Sequence, residues 1–158
     1  MTTPLSSKMP VRAWPFGSEN PSSEQFFQKT GLRMPSGTAR LAQVDQWVDQ
    51  LTPAQRLEVL RTGGPLYVVE STMEAVQREG GVLGHRRHFT KDERKLEQDI
   101  RREIGQSSHH QLSLGYANLA SSSVTLSHQP VLERMMRLEL TKGLLEREFG
   151  GKLELGDE

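Results

Sequence analysis

The densest group of side chains capable of chemistry is basic: the run HRRH at 85–88 is followed by Lys91 and Arg94. Guanidinium groups bind phosphate and carboxylate through paired hydrogen bonds, and an ammonium group adds a positive charge. The pattern therefore predicts a phosphate or acidic-surface contact made by Arg86, Arg87, Lys91 and Arg94. Acidic residues are interleaved with these bases and aromatic residues are scarce among them, which disfavours single-stranded nucleic acid as the ligand.

Metal binding would depend mainly on the histidines, because the chain contains no cysteine. His85 and His88 have the i, i+3 spacing with which a helix presents two ligands, but a glycine and two arginines surround them. The arginines repel a cation, and no carboxylate stands at a ligand-like spacing. The other histidines, His109, His110 and His128, lie elsewhere in the chain. We therefore predict surface or hydrogen-bonding histidines and no metal site.

The sequence contains no motif that predicts catalysis. It has no GxSxG segment, and Ser–His neighbours such as SSHH at 107–110 rarely reach the geometry of a catalytic triad. The glycine pairs at 63–64 and 80–81 lack the lysine and the spacing of phosphate-binding loops, so they indicate helix ends. We therefore predict a protein that is not an enzyme and has no cofactor or small-molecule substrate.

The composition limits how large a core the chain can build alone. The 158 residues suffice for one domain, yet only 34% of them are hydrophobic. This low share predicts that part of the chain completes a core together with a partner. Lys and Arg total 20, and Asp and Glu also total 20, so no overall charge attracts a polyanion.

The chain lacks both cysteine and any apolar run near the ~20 residues of a membrane span. We therefore predict an intracellular, reducing location, without secretion and without a transmembrane segment. The N-terminal residues 1–18 hold two bases, several hydroxyl groups and no acid, which leaves a mitochondrial or plastid address as the alternative. Against it, Pro4, Pro10 and Pro15 disfavour the amphipathic helix of such a signal.

Residues 1–37 are predicted to form an extended arm, because they hold five of the eight prolines and show almost no periodicity. Within them, a serine at 22 or 23 can cap a short helix that Gly31 ends. Aromatic residues are costly to leave in water, so we predict that those in the arm anchor it on a neighbouring protein. These anchors are Trp14, Phe16, Phe26 and Phe27.

Capping signals and apolar periodicity predict the helices that follow the arm. The first is capped by Thr38 and has Leu41, Val44, Trp47, Val48 and Leu51 on its buried face. The second is capped by Thr52, and the third covers 65–79. The fourth runs from a Thr90–Glu93 capping box to Gly105, with Glu97 paired to Arg101, and the fifth covers about 112–121. Residues 81–89 are predicted to be a loop. A strand at 66–69, and strands within 106–129 that would make the fold α+β, are the alternatives.

The last predicted helix, Pro130–Phe149, carries two apolar stripes where a surface helix needs only one. The first stripe is formed by Val131, Met135, Leu138, Leu145 and Phe149, and the second by Leu132, Met136, Leu140 and Leu144. Both stripes need to be covered. We assign partner binding to the second stripe, although Lys142 interrupts the first and leaves open which of the two faces the core.

Together these features predict an all-α fold: a small irregular helical domain of five or six helices at 38–150, an extended Pro-rich arm at 1–37 and a frayed acidic tail at 151–158. The function they favour is that of a non-catalytic accessory or structural subunit, which contacts other protein subunits of a larger assembly through its arm and its C-terminal helix. Two alternatives stay open. One is a nucleic-acid-associated protein that uses the basic segment 85–102, and the other is a small regulator or inhibitor that binds a target enzyme.

Overall fold

The described residues are helical throughout their regular structure. The computed structural model describes residues 21–36, 38–121 and 130–156, so Trp14 and Phe16 lie outside the described residues. The elements are Pro21–Thr30 (α1), Leu41–Asp49 (α2), Pro53–Thr62 (α3), Leu66–Arg78 (α4), a 3-10 helix at Leu83–His88, Lys91–Gly105 (α5), His109–Ser121 (α6) and Val131–Phe149 (α7). No strand occurs within these ranges, and the prediction of an all-α fold is confirmed.

The chain divides into two compact units after Ala75, a residue that lies within α4. This differs from the single helical domain predicted at 38–150. The helix α1 lies inside the predicted arm, yet it packs against α3 as part of the first unit. The amphipathic helix α1, which carries two phenylalanines, therefore contributes to the core of the first unit.

Phe26 is the centre of the apolar cluster in the first unit. Its side chain is 0% exposed and meets the ring of Trp47 edge-on at a centroid distance of 5.8 Å. This corrects the expectation that Phe26 anchors the arm on a partner, because the chain itself covers the ring. Phe27 is half-buried, and the guanidinium carbon of Arg33 stands 3.9 Å from its ring centroid.

Local capping signals determine where α3 begins. The Oγ1 atom of Thr52 accepts a hydrogen bond from the backbone N–H of Gln55 at 3.1 Å, and the N–H of Thr52 donates to Oε1 of Gln55 at 2.9 Å. These two bonds satisfy donors that a helix start leaves unpaired. The capping box predicted at Thr52 is therefore confirmed.

The start of α2 differs from its prediction. The N-cap is Arg40, whose N–H donates to Oε1 of Gln43 at 3.1 Å, while the Thr38 hydroxyl bonds to Ser36 instead. The helix thus begins two residues later than a Thr38 cap implies. Leu41 falls in the first turn and is 56% exposed, rather than buried with Val44.

In the second unit, α7 packs against both α5 and α6. Leu132, Met136 and Leu140 of the second stripe are 2%, 0% and 5% exposed, and Leu144 is half-buried. This corrects the expectation that a partner is needed to cover this stripe. The helix does bury two faces, but helices of its own unit cover them.

The residues after α7 are held in place rather than frayed, as far as Gly156, where the described chain ends. Nε2–H of His109 donates to the carbonyl oxygen of Lys152 at 2.8 Å, and Nδ1–H of His110 donates to that of Glu154 at 2.9 Å. The N–H of Glu154 in turn donates to Oγ of Ser113 at 2.7 Å. Three side chains on α6 therefore fasten this segment along the helix.

Candidate functional site

The basic segment belongs to the second unit, and a capping box sets the orientation of its helix. The N–H of Glu93 donates to Oγ1 of Thr90 at 3.1 Å, and the N–H of Thr90 donates to Oε1 of Glu93 at 2.9 Å. The capping box predicted here is confirmed. The helix α5 therefore begins at Lys91. Within it, Arg94 and Arg101 lie on the same side, because the seven residues between their positions complete nearly two turns.

Residues 83–88 form a 3-10 helix where a loop was predicted, and a carboxylate from α7 holds its start. Oε2 of Glu139 accepts from the N–H of Val82 at 2.8 Å, and Oε1 accepts from that of Leu83 at 3.0 Å. Burial raises the pKa of Glu139, and the two backbone hydrogen bonds oppose that rise. Gly81 is needed beside this carboxylate, because its φ is +78° and an added Cβ would lie 2.8 Å from Oε1.

His85 lies inside this turn and is only 4% exposed. Its Nδ1–H donates to the carbonyl oxygen of Gly81 at 2.7 Å, and Nε2 lies 3.5 Å from Oε1 of Glu79. The hydrogen-bonding role predicted for this histidine agrees with these contacts, whereas a surface position does not. With His85 buried in the turn, its neighbours Arg86 and Arg87 are exposed.

Glu97 links the 3-10 helix to α5, although the sequence pattern places it on a charged helix. Its carboxylate is 5% exposed and accepts from Arg86 through Nε at 2.9 Å and Nη2 at 2.7 Å. The same carboxylate accepts from Nη2 of Arg101 at 2.8 Å, as the predicted i, i+4 pair requires. The hydrogen bond from Arg86 is the largest of the effects that lower the pKa of Glu97, and it outweighs the burial that would raise it.

These side chains surround a surface groove with a volume of about 540 Å³, which we call the arginine groove. Its lining residues are Arg86, Arg87, Arg94, Glu97, Gln98 and Arg101. Four positive charges there face one negative charge. Within the described part of the chain, the side chains of Arg87 and Arg94 have no ion pair or hydrogen bond.

The geometry of the arginine groove suits an anion that offers several oxygen atoms. Guanidinium groups bind carboxylate and phosphate through parallel N–H donors, and fixed donors lose less conformational freedom on binding. Glu97 fixes Arg86 and Arg101, while Arg87 and Arg94 keep all their donors available to a ligand. Arg86 occupies both carboxylate oxygens of Glu97, and the pKa of Glu97 is lowered. The Glu97 carboxylate is therefore a weak base.

The structure brings together three of the four residues predicted for anion contact, namely Arg86, Arg87 and Arg94. Lys91 is exposed on α5 but does not line the groove. Sequence reasoning missed Gln98 and Arg101 as lining residues, and it assigned Glu97 only to a helical pair. The i, i+4 pair of Glu97 and Arg101 was the sequence signal that could have identified Arg101 as a lining residue, because it places Arg101 beside any other residue that Glu97 binds.

The described residues also bear on metal binding and on membrane insertion. No group of three or more His, Asp or Glu side chains is arranged there to hold a metal ion. Within the same ranges, no helix combines the length and apolar character needed to cross a membrane.

Comparisons with protein-family models, with curated proteins and with solved structures find no match to this chain.

Proposed function

We propose that this chain is a non-catalytic binding subunit of a protein assembly, and that its arginine groove receives an acidic segment of a partner protein. The observation that carries the proposal is the charge arrangement of the groove, in which four arginines surround one buried glutamate. Four like charges grouped around one carboxylate repel one another even at a solvent-screened surface, so an anionic ligand relieves a repulsion already present.

The state of Glu97 supports binding rather than catalysis. A general base needs a pKa near the working pH and a free oxygen within reach of its substrate. Glu97 has a lowered pKa, and arginine side chains occupy both of its oxygens. Its role in the proposal is to hold Arg86 and Arg101 in a fixed orientation.

The ligand favoured is an acidic protein segment rather than nucleic acid. A duplex presents one phosphate charge per ~1.7 Å of its axis and needs a long positive track. The outward side of α5 instead alternates in sign, since Lys95 and Arg102 both pair with Asp99 at 3.1 Å. The groove lining also contains no aromatic side chain on which a base could stack. A compact cluster of carboxylates fits the small size and the polar lining of the arginine groove better than a nucleic acid does.

Binding of a labelled peptide tests the proposal directly. The probe is a fluorescent twelve-residue peptide of alternating Glu and Gly, compared with a single-stranded and a duplex oligonucleotide of equal charge at the same salt concentration. We expect the peptide to bind most tightly, with an affinity that falls as salt rises. Replacing Arg87→Glu and Arg94→Glu together should weaken it at least ~tenfold, because two attractive contacts become repulsive.

A matched variant separates the groove from overall charge. Lys142→Glu with Arg147→Glu makes the same charge change at exposed positions of α7 outside the groove. This control should bind the peptide as the wild type does. Tighter binding of either oligonucleotide, abolished by the groove variant, would replace the acidic segment by nucleic acid. No binding of any probe at low salt would refute the groove as an anion site.

A further inference from the structure

The segment after α7 has one side fastened to α6 and the other side open. The carbonyl oxygens of Lys152 and Glu154, and the N–H of Glu154, all bond to side chains of α6. In an extended chain the backbone groups of successive residues point to opposite sides, so those of Leu153 and Leu155 point away from α6. Among the described residues, no hydrogen bond involves the backbone N–H or C=O of these two leucines.

The spacing of the contacts along α6 agrees with an extended segment. Lys152 bonds to His109, and Glu154 bonds to Ser113 four residues later in the helix. Four residues of helix rise about 6 Å, and two residues of extended chain cover about 6.6 Å. The segment therefore advances along the helix at the rate of a β-strand.

The side chains of this segment are apolar on one face. Leu153 and Leu155 are 42% and 46% exposed, and both lie on the same face because side chains alternate along an extended chain. In the described part of the second unit, Leu114 is the one other large hydrophobic residue that is exposed. Open backbone groups beside exposed apolar side chains characterise an edge strand, which pairs readily with another strand. We call the backbone groups of Leu153 and Leu155 the open edge.

We propose that the open edge pairs with the open edge of a second copy of the chain, as an antiparallel ribbon about a twofold axis. When Glu154 stands opposite Glu154 of the second copy, Leu153 stands opposite Leu155 of the second copy, and the reverse. In this register every open N–H meets an open C=O, because both leucine pairs are hydrogen-bonded pairs. The proposal is independent of the arginine groove, which none of residues 152–156 lines.

The side chains favour the same register, which is why a second copy fits the edge. The leucines of both chains fall on one face, and directly opposite apolar side chains stabilise a strand pair. On the other face the two Glu154 carboxylates stand opposite each other. Each of them lies diagonal to Lys152 of the other chain, within reach of a long side chain, so the lysines offset that repulsion. Sequence alternation in the segment is therefore self-complementary.

Single cysteines test the register, because the chain contains no cysteine of its own. Two Glu154→Cys chains would have Cα atoms about 4.5 Å apart, as in a non-hydrogen-bonded pair, which suits a disulfide. Lys152→Cys, also exposed in this segment, is the matched control, because the two copies of residue 152 would lie about 14 Å apart.

Under mild oxidation, Glu154→Cys should form linked dimers at least ~tenfold faster than Lys152→Cys, because pairing raises the effective concentration of its thiols. Each rate is divided by the rate of the same variant with a small disulfide reagent, which corrects for a difference in thiolate fraction. Equal corrected rates would overturn the register.

Exchange of backbone amide hydrogens tests the pairing in the unmodified full chain. The N–H groups of Leu153 and Leu155 should become protected as concentration rises and sedimentation shows a dimer. The N–H of Glu154 bonds to Ser113 within the chain, so its protection should not depend on concentration. Protection of the leucine N–H groups that is equal in monomer and dimer would contradict the proposal.

Proline substitution removes a paired donor from the open edge. Leu155→Pro keeps an extended backbone but lacks the N–H, so it should weaken dimerisation at least ~tenfold. Leu41→Pro is the matched control, since Leu41 is the exposed first residue of α2, where proline is tolerated, and it should leave dimerisation unchanged. Retained protection of the Glu154 N–H in Leu155→Pro shows that the segment still lies on α6.

The paired segment is short, so the dimer is expected to be weak. A wild-type chain that stays monomeric up to ~1 mM would overturn self-pairing. A dimer of unchanged affinity in Leu155→Pro would do the same, because its interface would lie elsewhere. If the monomer instead protects the leucine N–H groups when an extended peptide of alternating Thr and Val is added, the edge belongs to a different protein and self-pairing is refuted.

Discussion

The two units of this chain bury different kinds of side chain. In the first unit the cluster around Phe26 is apolar, and the buried polar residues described there are Arg56 and Thr72. The second unit buries His85, Glu97, Ser113, Arg134 and Thr141 among its described residues. A buried polar network is costly unless every member is satisfied, whereas an apolar cluster depends mainly on volume and shape.

Their surfaces differ in the same sense. The first unit carries an apolar hollow lined mainly by Ala39, Val44, Pro65, Leu66 and Val68, while the second carries the arginine groove. In the second unit the buried glutamate orients the exposed arginines, so the interior and the surface are coupled electrostatically. In the first unit no such coupling is needed, because the hollow is formed by the same kind of apolar side chain as the core. Substitutions should therefore act differently in the two units.

The largest expected effect is the unfolding of the second unit by Met136→Asp with Leu140→Asp. Two charges would replace side chains that are 0% and 5% exposed, and each unpaired buried charge costs several kcal/mol. Hydrogen exchange by region should show lost protection in α5, α6 and α7. Lys142→Asp with Arg147→Asp, at exposed positions of α7, is the control and should retain protection. Retained protection in the Met136 and Leu140 variant would show that this stripe is not core.

The first unit should be most sensitive at its aromatic centre. Phe26→Ala should lower the free energy of unfolding by about 3–5 kcal/mol, the usual cost of a Phe→Ala cavity. Phe27→Ala should cost about 1 kcal/mol, because the ring is only half-buried and loses mainly its cation–π contact with Arg33. Urea denaturation followed by circular dichroism measures both. Equal losses would mean that the ring of Phe27 belongs to the core as well.

Much of this fold follows from local sequence signals. The capping boxes at Thr52 and Thr90 were predictable because both partners lie within four residues of each other. The start of α2 was not, since the acceptor at its N-terminus comes from Gln43 and no Ser or Thr stands at the cap. The two stripes of α7 were also predictable, but periodicity identifies an apolar face without saying which helix covers it.

The arginine groove was predictable only in part, for a related reason. The Glu97–Arg101 pair is local, whereas Arg86 reaches Glu97 across 11 residues of chain. That reach depends on the 3-10 helix, at whose start the N–H groups of Val82 and Leu83 donate to Glu139 across 57 and 56 residues of chain. A one-dimensional pattern cannot show contacts between elements so far apart in sequence, so the cluster appeared as a loop with exposed arginines.

A smaller effect is expected where the interior and surface of the second unit meet. Glu97→Gln should cost about 1.5 kcal/mol in unfolding free energy, at the low end for hydrogen bonds to charged groups because Arg86 and Arg101 are half exposed. Asp92→Asn, at an exposed carboxylate of the same helix, should change it by less than about 0.5 kcal/mol. Indistinguishable values for the two variants would contradict a structural role of Glu97.

Acidification should have opposite effects on the contributions that Glu97 and Glu139 make to the stability of this unit. Glu97 has a lowered pKa, so its stabilisation is complete above its usual pKa of about 4.5 and is lost as pH falls through the lowered value. Glu139 has a raised pKa, so its contribution is present below about 4.5 and is lost as pH rises through the raised value. The destabilisation caused by Glu97→Gln should therefore shrink on acidification. That of Glu139→Gln should grow, as measured by urea unfolding between neutral and acidic pH.

The smallest effect distinguishes the units by function rather than by stability. Thr52→Ala and Thr90→Ala should each cost about 1 kcal/mol, because each removes one N-cap hydrogen bond. Only Thr90→Ala frays the helix that carries Arg94 and Arg101, so only this variant should weaken binding of the acidic peptide. Thr52→Ala is its matched control, since it has the same chemistry in the other unit. Equal binding by both variants would mean that the first turn of α5 does not orient the groove, and that Glu97 alone does so.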